Sequence, residues 1–289
     1  MADKKHIDEI SGVETTGHEW DGIRELNNPM PRWWVWTFYA TIVWSIGYTI
    51  AYPAWPLLTD NTKGLLGYSS RAEVAEEIET AKLAQSGYLE RIAELPLTEI
   101  VADRELVQFA VAGGAAAFRV NCSTCHGSGA AGGPGGYPNL NDDDWLWGGD
   151  LDSIYTTIAH GIRYTNDPDS RVSEMPAYAD ILQPEEIRQV AAYVVSLTGT
   201  PRDASMVEPG QQIFMDNCAA CHGDDARGIR DLGAPNLADA IWLKAEGEAG
   251  IAAQIAQPKH GVMPGWVGRL GDPTIKQLAV FVHSLGGGE

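Results

Sequence analysis

Two short stretches, Asn121-Cys122-Ser123-Thr124-Cys125-His126-Gly127 and Asn217-Cys218-Ala219-Ala220-Cys221-His222-Gly223, restrict this chain more than anything else in it. In each, two thiols three residues apart are placed to add across the two vinyl groups of one haem, and the adjacent histidine then reaches the iron. C-x-x-C-H is the attachment signature of c-type haem. All four cysteines of the chain belong to these stretches, so none is left for a disulfide framework. The expected cofactors are two covalent c-type haems, with thioether bonds at Cys122, Cys125, Cys218 and Cys221 and axial imidazoles from His126 and His222. A thiol redox pair would sit at a strand-to-helix junction of an α/β fold, and no such alternation surrounds the motifs. A zinc ribbon tying the pairs together would ignore both histidines.

The motifs sit inside an internal repeat. Cys122 and Cys218 are 96 positions apart, and Phe118 with Phe214, Asn121 with Asn217, and Gly127 with Gly223 keep that offset. Further on, Pro138-Asn139-Leu140 matches Pro235-Asn236-Leu237, Trp145 matches Trp242, His160-Gly161-Ile162 matches His260-Gly261-Val262, and Met175-Pro176 matches Met263-Pro264. Each copy closes with an amphipathic helix opened by a proline, Pro184 to Leu197 and Pro273 to Leu285. The order helix, C-x-x-C-H, Pro-Asn-Leu, Met-Pro and closing helix resembles the class I cytochrome c fold in both copies. That resemblance implies a crossing of the first and last helices, with Phe118 meeting Tyr193 and Phe214 meeting Phe281, and with Gly114 and Gly210 one turn away as small residues for the contact. It also implies Met175 and Met263 as the sixth iron ligands, and the Pro138 and Pro235 carbonyls as acceptors for the free imidazole N–H groups. His160 and His260 stand as alternative axial donors. Trp145 and Trp242 are candidates to hydrogen-bond a haem propionate or to fill the haem edge.

The remainder of the chain reads as an anchor and a spacer. Residues 1–32 form a polar tail without a core. From Trp33 to Thr59 there is no charged side chain, and aromatics crowd both ends of the run, Trp33, Trp34 and Trp36 against Tyr48, Tyr52 and Trp55. Twenty residues at about 1.5 Å each span about 30 Å, the thickness of a bilayer core, and the aromatics suit its two interfaces. A transmembrane helix is therefore expected within 33–58. Residues 59–104 form a helical linker whose Ala/Glu/Lys-rich run begins near Arg71. The tandem domains then occupy 105–199 and 200–289, giving an all-α chain with one membrane helix and two cytochrome c-like domains.

The chain carries 39 acidic against 20 basic residues, a formal charge of −19, which haem carboxylates would deepen. Such a surface argues against nucleic acid and favours encounter with a basic protein. Asp142, Asp143 and Asp144 read as a solvated turn, and no nucleophile, base and oxyanion donor stand at recognisable spacing.

The N-terminal residues Gly17-His18-Glu19-Trp20-Asp21-Gly22-Ile23, with Glu25-Leu26-Asn27-Asn28-Pro29-Met30-Pro31-Arg32-Trp33-Trp34, closely resemble the di-haem subunit III of cbb3-type cytochrome c oxidases, and the resemblance covers the whole chain. It implies an electron-transfer subunit with no catalysis of its own. Its partners would be a donor cytochrome c, a mono-haem cytochrome c subunit and the oxygen-reducing haem-copper subunit of a proton-translocating complex. It also implies a bacterial inner membrane location, with the N-terminus cytoplasmic and both haem domains periplasmic.

Overall fold

The structure is a computed structural model, and it describes residues 6–288. The chain divides into two compact units, residues 1–82 and 83–289.

The first unit begins with a β-hairpin, so the chain is not wholly helical and its tail is not without structure. Strands β1 (Thr15–Trp20) and β2 (Ile23–Leu26) pair antiparallel, with Trp20 opposite Ile23 and Glu19 opposite Arg24. The two-residue connection, Asp21-Gly22, has positive φ at both positions, 49° and 85°. That is the turn whose twist matches a right-handed hairpin. Arg24 Nε donates to Glu19 at 2.7 Å across the pair, and Thr15 is buried.

Helix α1 (Arg32–Ala51) follows, 20 residues long with no buried side chain. It ends just before Pro53, which cannot continue the hydrogen-bond ladder. Its last carbonyls are capped by the returning chain: Leu65 N–H donates to Ile50 O and Leu66 N–H to Ala51 O, each at 3.0 Å. Gly64, at φ +68°, allows this approach, since a Cβ there would lie 2.3 Å from the Ala51 oxygen. Among the described residues no helix is long and apolar enough to cross a membrane. Indole, phenol and hydroxyl groups lower the mean hydropathy of α1. Its serine and threonine hydroxyls are nevertheless satisfied internally, with Thr37, Thr41, Ser45 and Thr49 donating to carbonyls within the helix at 2.7–2.9 Å.

Helix α2 (Ser70–Glu94) runs into the second unit. Its C-terminal carbonyls are gathered by one ammonium: Lys276 Nζ donates to Ile92 O, Ala93 O and Leu95 O at 2.8–3.1 Å, where a cation also complements the helix dipole. After α3 (Leu97–Ala102), the Asp103 carboxylate caps α4 (Arg104–Asn121) by accepting from Glu105 and Leu106 N–H.

The chain continues through α5 (Ser123–His126), α6 (Leu151–His160), α7 (Pro184–Ser196), α8 (Val207–Asn217), α9 (Ala219–His222), α10 (Gly247–Ala256), α11 (Val267–Leu270) and α12 (Asp272–His283). These form two hydrophobic cores, but the cores do not follow the two sequence copies. One joins α4 and α6 of the first copy to α11 and α12 of the second, with Leu106, Phe118, Ile154, Leu278 and Val280 buried together. The other joins α7 of the first copy to α8 and α10 of the second, with Val190, Tyr193, Phe214 and Ile251 buried together.

The aromatic contacts expected within each copy are therefore made between copies. Phe118 packs on Phe281 with centroids 5.4 Å apart, and Phe214 on Tyr193 at 5.2 Å. The glycines stand at the crossings as expected, with exchanged partners: a Cβ on Gly114 would lie 2.2 Å from Gln277 O, and one on Gly210 1.9 Å from Gln189 O. Consecutive in the chain, α7 and α8 pack against each other, as consecutive elements usually do. The last helix of the first copy thereby joins the second core, and the last helix of the second copy fills the vacated place. Where the exchanging segments pass, Ile162 and Met263 trade both backbone hydrogen bonds, at 2.9 and 3.0 Å.

Candidate haem centres

The two C-x-x-C-H segments adopt nearly the same geometry. Each first cysteine ends a helix, α4 or α8, and the next four residues make one further turn, α5 or α9. Gly127 and Gly223, at φ +79° and +78°, release the chain. The loop then returns, with Gly132 N–H on His126 O and Gly228 N–H on His222 O. Two buried alanines in left-handed geometry, Ala130 and Ala226, fix the loop further by accepting from Leu140 and Leu237 N–H at 2.7 and 2.8 Å.

These loops aim the imidazoles. His126 Nδ1 lies 3.2 Å from the Pro138 carbonyl, and His222 Nδ1 lies 3.2 Å from the Pro235 carbonyl. A carbonyl oxygen only accepts, so Nδ1 carries the proton in each ring and Nε2 presents its lone pair. Burial pushes both imidazoles toward the neutral form, against the opposing pull of those carbonyls. Phe118 and Phe214 flank the two rings at 6.4 and 6.5 Å.

The four thiols are free. Burial, and then the neighbouring cysteine, push Cys122 and Cys218 up to about 11, while Cys125 and Cys221 are exposed. Beside the second motif, a cavity is lined by Cys218, Cys221, His222 and Met175 together with Phe214 and Ile251. Two thiols, a neutral imidazole, a thioether and an apolar wall fit a covalently held haem. Met263 packs with the first core, as do Cys122, Leu140 and Trp145. Each candidate methionine thus lies with the motif of the other copy, an exchange that nothing in the motif spacing indicates.

The other candidates divide. His260 lines the cavity of the second motif. His160 does not line that cavity, and its Nδ1 lies 3.1 Å from an Asp167 carboxylate oxygen. The Trp145 indole N–H donates to the Gly287 carbonyl rather than standing free for a propionate. Trp242 lines the cavity.

The Asp142–Asp144 turn is not simply solvated. Burial, then the nearby Asp239 and Asp142 carboxylates, push Asp144 up to about 6, with Arg230 opposing. A folded-state pKa above the ordinary 3.8 means that the folded chain holds this proton more tightly. The contribution to stability is complete below about pH 4 and is lost as pH rises through about 6. Asp144→Asn is therefore expected to raise the Tm of the haem-loaded chain at about pH 7.5 by about 2–4 °C, the equivalent of about 1 kcal/mol after solvent screening. The gain should vanish near pH 4, about the ordinary carboxylate value, which paired melting curves at the two pH values would show.

Comparison with known proteins agrees across the chain. Residues 12–59 match the family model described as the N-terminal domain of cytochrome oxidase-cbb3, FixP. Residues 109–194 and 205–282 match the model described as cytochrome C oxidase, cbb3-type, subunit III. The chain is 68% identical over 290 residues, the whole of both sequences, to the cbb3-type cytochrome c oxidase subunit FixP of Rhizobium meliloti (strain 1021). It is 67% identical, over 99% of each chain, to subunit FixPc of Rhizobium leguminosarum bv. viciae, and 54% identical, over 95% of each, to subunit CcoP of Cereibacter sphaeroides.

Proposed function

We propose, for a chain that belongs to the cbb3-type cytochrome c oxidase subunit III family, how the subunit carries electrons. The protein is a cytochrome c electron-transfer subunit of a cbb3-type oxidase, with two cytochrome c domains. It serves the oxidase reaction without catalysing it alone. The observation that carries the mechanism is the repeated fixing of an imidazole by a proline carbonyl beside two free thiols. Each haem, once bound, supplies a one-electron iron couple.

In this reading Cys122 and Cys125 hold one haem and Cys218 and Cys221 the other. His126 and Met263 would hold the first, and His222 and Met175 the second, so that each haem would draw on both sequence copies. A thioether donor together with an imidazole would favour the ferrous state and raise the potential. The proline carbonyls keep the rings oriented, and the apolar walls contributed by Phe118 and Phe214 would keep water from a bound haem.

Helix α1 anchors the subunit in the bacterial inner membrane. Supporting this are its lack of charge after Arg32, its unburied aromatic surface and its internally satisfied hydroxyls, since lipid offers no hydrogen bonds. The hairpin lies on the cytoplasmic side and the haem unit in the periplasm. Electrons arrive from a donor cytochrome c, drawn by the acidic surface, and leave toward a mono-haem subunit and the haem-copper subunit. Purification of the tagged chain from membranes in mild detergent is expected to recover a haem-copper subunit and oxygen consumption. A chain recovered alone, without oxidase activity, would contradict this assignment and favour a free-standing carrier.

A further inference from the structure

In a chain with a formal charge of −19, three cations line the cavity beside the second motif: Arg163, Lys244 and Lys259. They act on one another. Burial first, then Arg163 and Lys259, lower Lys244 from its ordinary value, and burial lowers Arg163 against the opposing Glu174. Arg163 spends Nε on the Gly261 carbonyl at 2.7 Å and Nη1 on the Ser173 carbonyl at 2.8 Å, which fixes the guanidinium. Lys244 is threaded between glycines: a Cβ on Gly136 would come within 3.2 Å of its Nζ, and one on Gly261 within 3.5 Å. Asp144 and Glu174 line the same cavity, yet among the described residues neither lysine forms an ion pair. Arg163 is half-buried and the two lysines are exposed at the rim, and like charges gathered around one cavity repel one another. The arrangement is explained if an anion completes it.

We propose that Arg163, Lys244 and Lys259 clamp the propionate carboxylates of the haem attached at Cys218 and Cys221, and so set that haem at a higher potential than it would otherwise have. The inference rests on the di-haem reading above. Thioether bonds fix the vinyl edge of a haem at the two cysteines, and the carboxylates lie on the opposite edge, so they must meet the rest of the lining. A guanidinium fork and two ammonium groups are the donors that carboxylates favour. The clamp belongs to one haem only. At the offsets that align the copies, Lys244 corresponds to Trp147 and Lys259 to Ala159, while Arg163 crosses over from the first copy. Neutralising carboxylates near an iron disfavours the more positive ferric state, which raises the potential.

The test is a redox titration of the full chain in its complex, resolving two one-electron components. Lys244→Gln/Lys259→Gln is expected to lower one component by about tenfold in its reduction equilibrium, about 59 mV for a one-electron couple, and to leave the other in place. Lys244→Arg/Lys259→Arg should restore it, and Lys82→Gln, on an exposed helix face, should move neither. Two attached haems with both components unmoved in the glutamine variant, or lowered equally, would overturn the proposal. If the glutamine variant fails to hold its second haem, recovery in the arginine variant supports the clamp, and failure of both variants overturns it. Wild-type chain with fewer than two haems by pyridine haemochrome absorbance would instead remove the di-haem reading itself.

Discussion

Gly210→Ala is expected to destabilise the chain by about 3 kcal/mol, lowering its Tm by about 6–12 °C, although alanine favours a helix over glycine by up to about 1 kcal/mol. The reason is the crossing of α8 with α7. The new Cβ would stand 1.9 Å from the Gln189 oxygen and 2.5 Å from its carbon, both backbone atoms of the neighbouring helix, so no side-chain rotation relieves the clash. The helices must separate, and the contact between Tyr193 and Phe214 opens with them. Gly114→Ala should act similarly through the Gln277 oxygen at 2.2 Å and Phe281 Cβ at 2.6 Å. Gly87→Ala on α2, with nothing within 4 Å, should stabilise by about 0.5–1 kcal/mol. Thermal unfolding of the three variants checks the set. Equal effects at all three positions would mean that the crossings are not where the fold is held.

The second large effect concerns the exchange of methionines. Met263→Ala is expected to lower the potential of the haem at Cys122 and Cys125 by on the order of 0.2 V, within the roughly 0.8 V over which axial ligands set haem potentials. The haem at Cys218 and Cys221 should keep its value. Met175→Ala should do the reverse. This follows from Met263 packing with the core that holds Cys122 and Met175 sharing the cavity of Cys218 and His222. Met175 is the methionine that follows His126 within its own copy, yet the chain's path through the Ile162 and Met263 pairing brings Met263 to that core instead.

Much of this was legible in the residues. Cysteine spacing and the repeat marked two equivalent segments, and Pro138 and Pro235 stand where their carbonyls meet the imidazoles. Gly114 and Gly210 lie at helix crossings, as their place one turn before an aromatic suggested. Periodicity shows which face of α7 or α12 is apolar, but not which helix it will cover. The two copies present similar surfaces, with Phe118 like Phe214 and Tyr193 like Phe281, so either pairing satisfies the pattern. The usable signal was the short stretch between Ser196 and Val207, which favours α7 beside α8. Asp21-Gly22 was a second overlooked signal, because that dipeptide between extended segments specifies a hairpin. The burial of Asp144 had no local signature: it depends on Asp239, almost a full repeat away.

The most direct test of the account uses a chain reduced to one haem by Cys218→Ser/Cys221→Ser, with either Met263→Ala or Met175→Ala added. The ferric absorption spectrum then reports whether sulfur ligates the single remaining iron, through its thioether-to-iron charge-transfer band. The account predicts that the band disappears in the Met263→Ala chain and persists in the Met175→Ala chain. Loss of the band with Met175→Ala and its survival with Met263→Ala would contradict the exchanged ligation on which both centres are built.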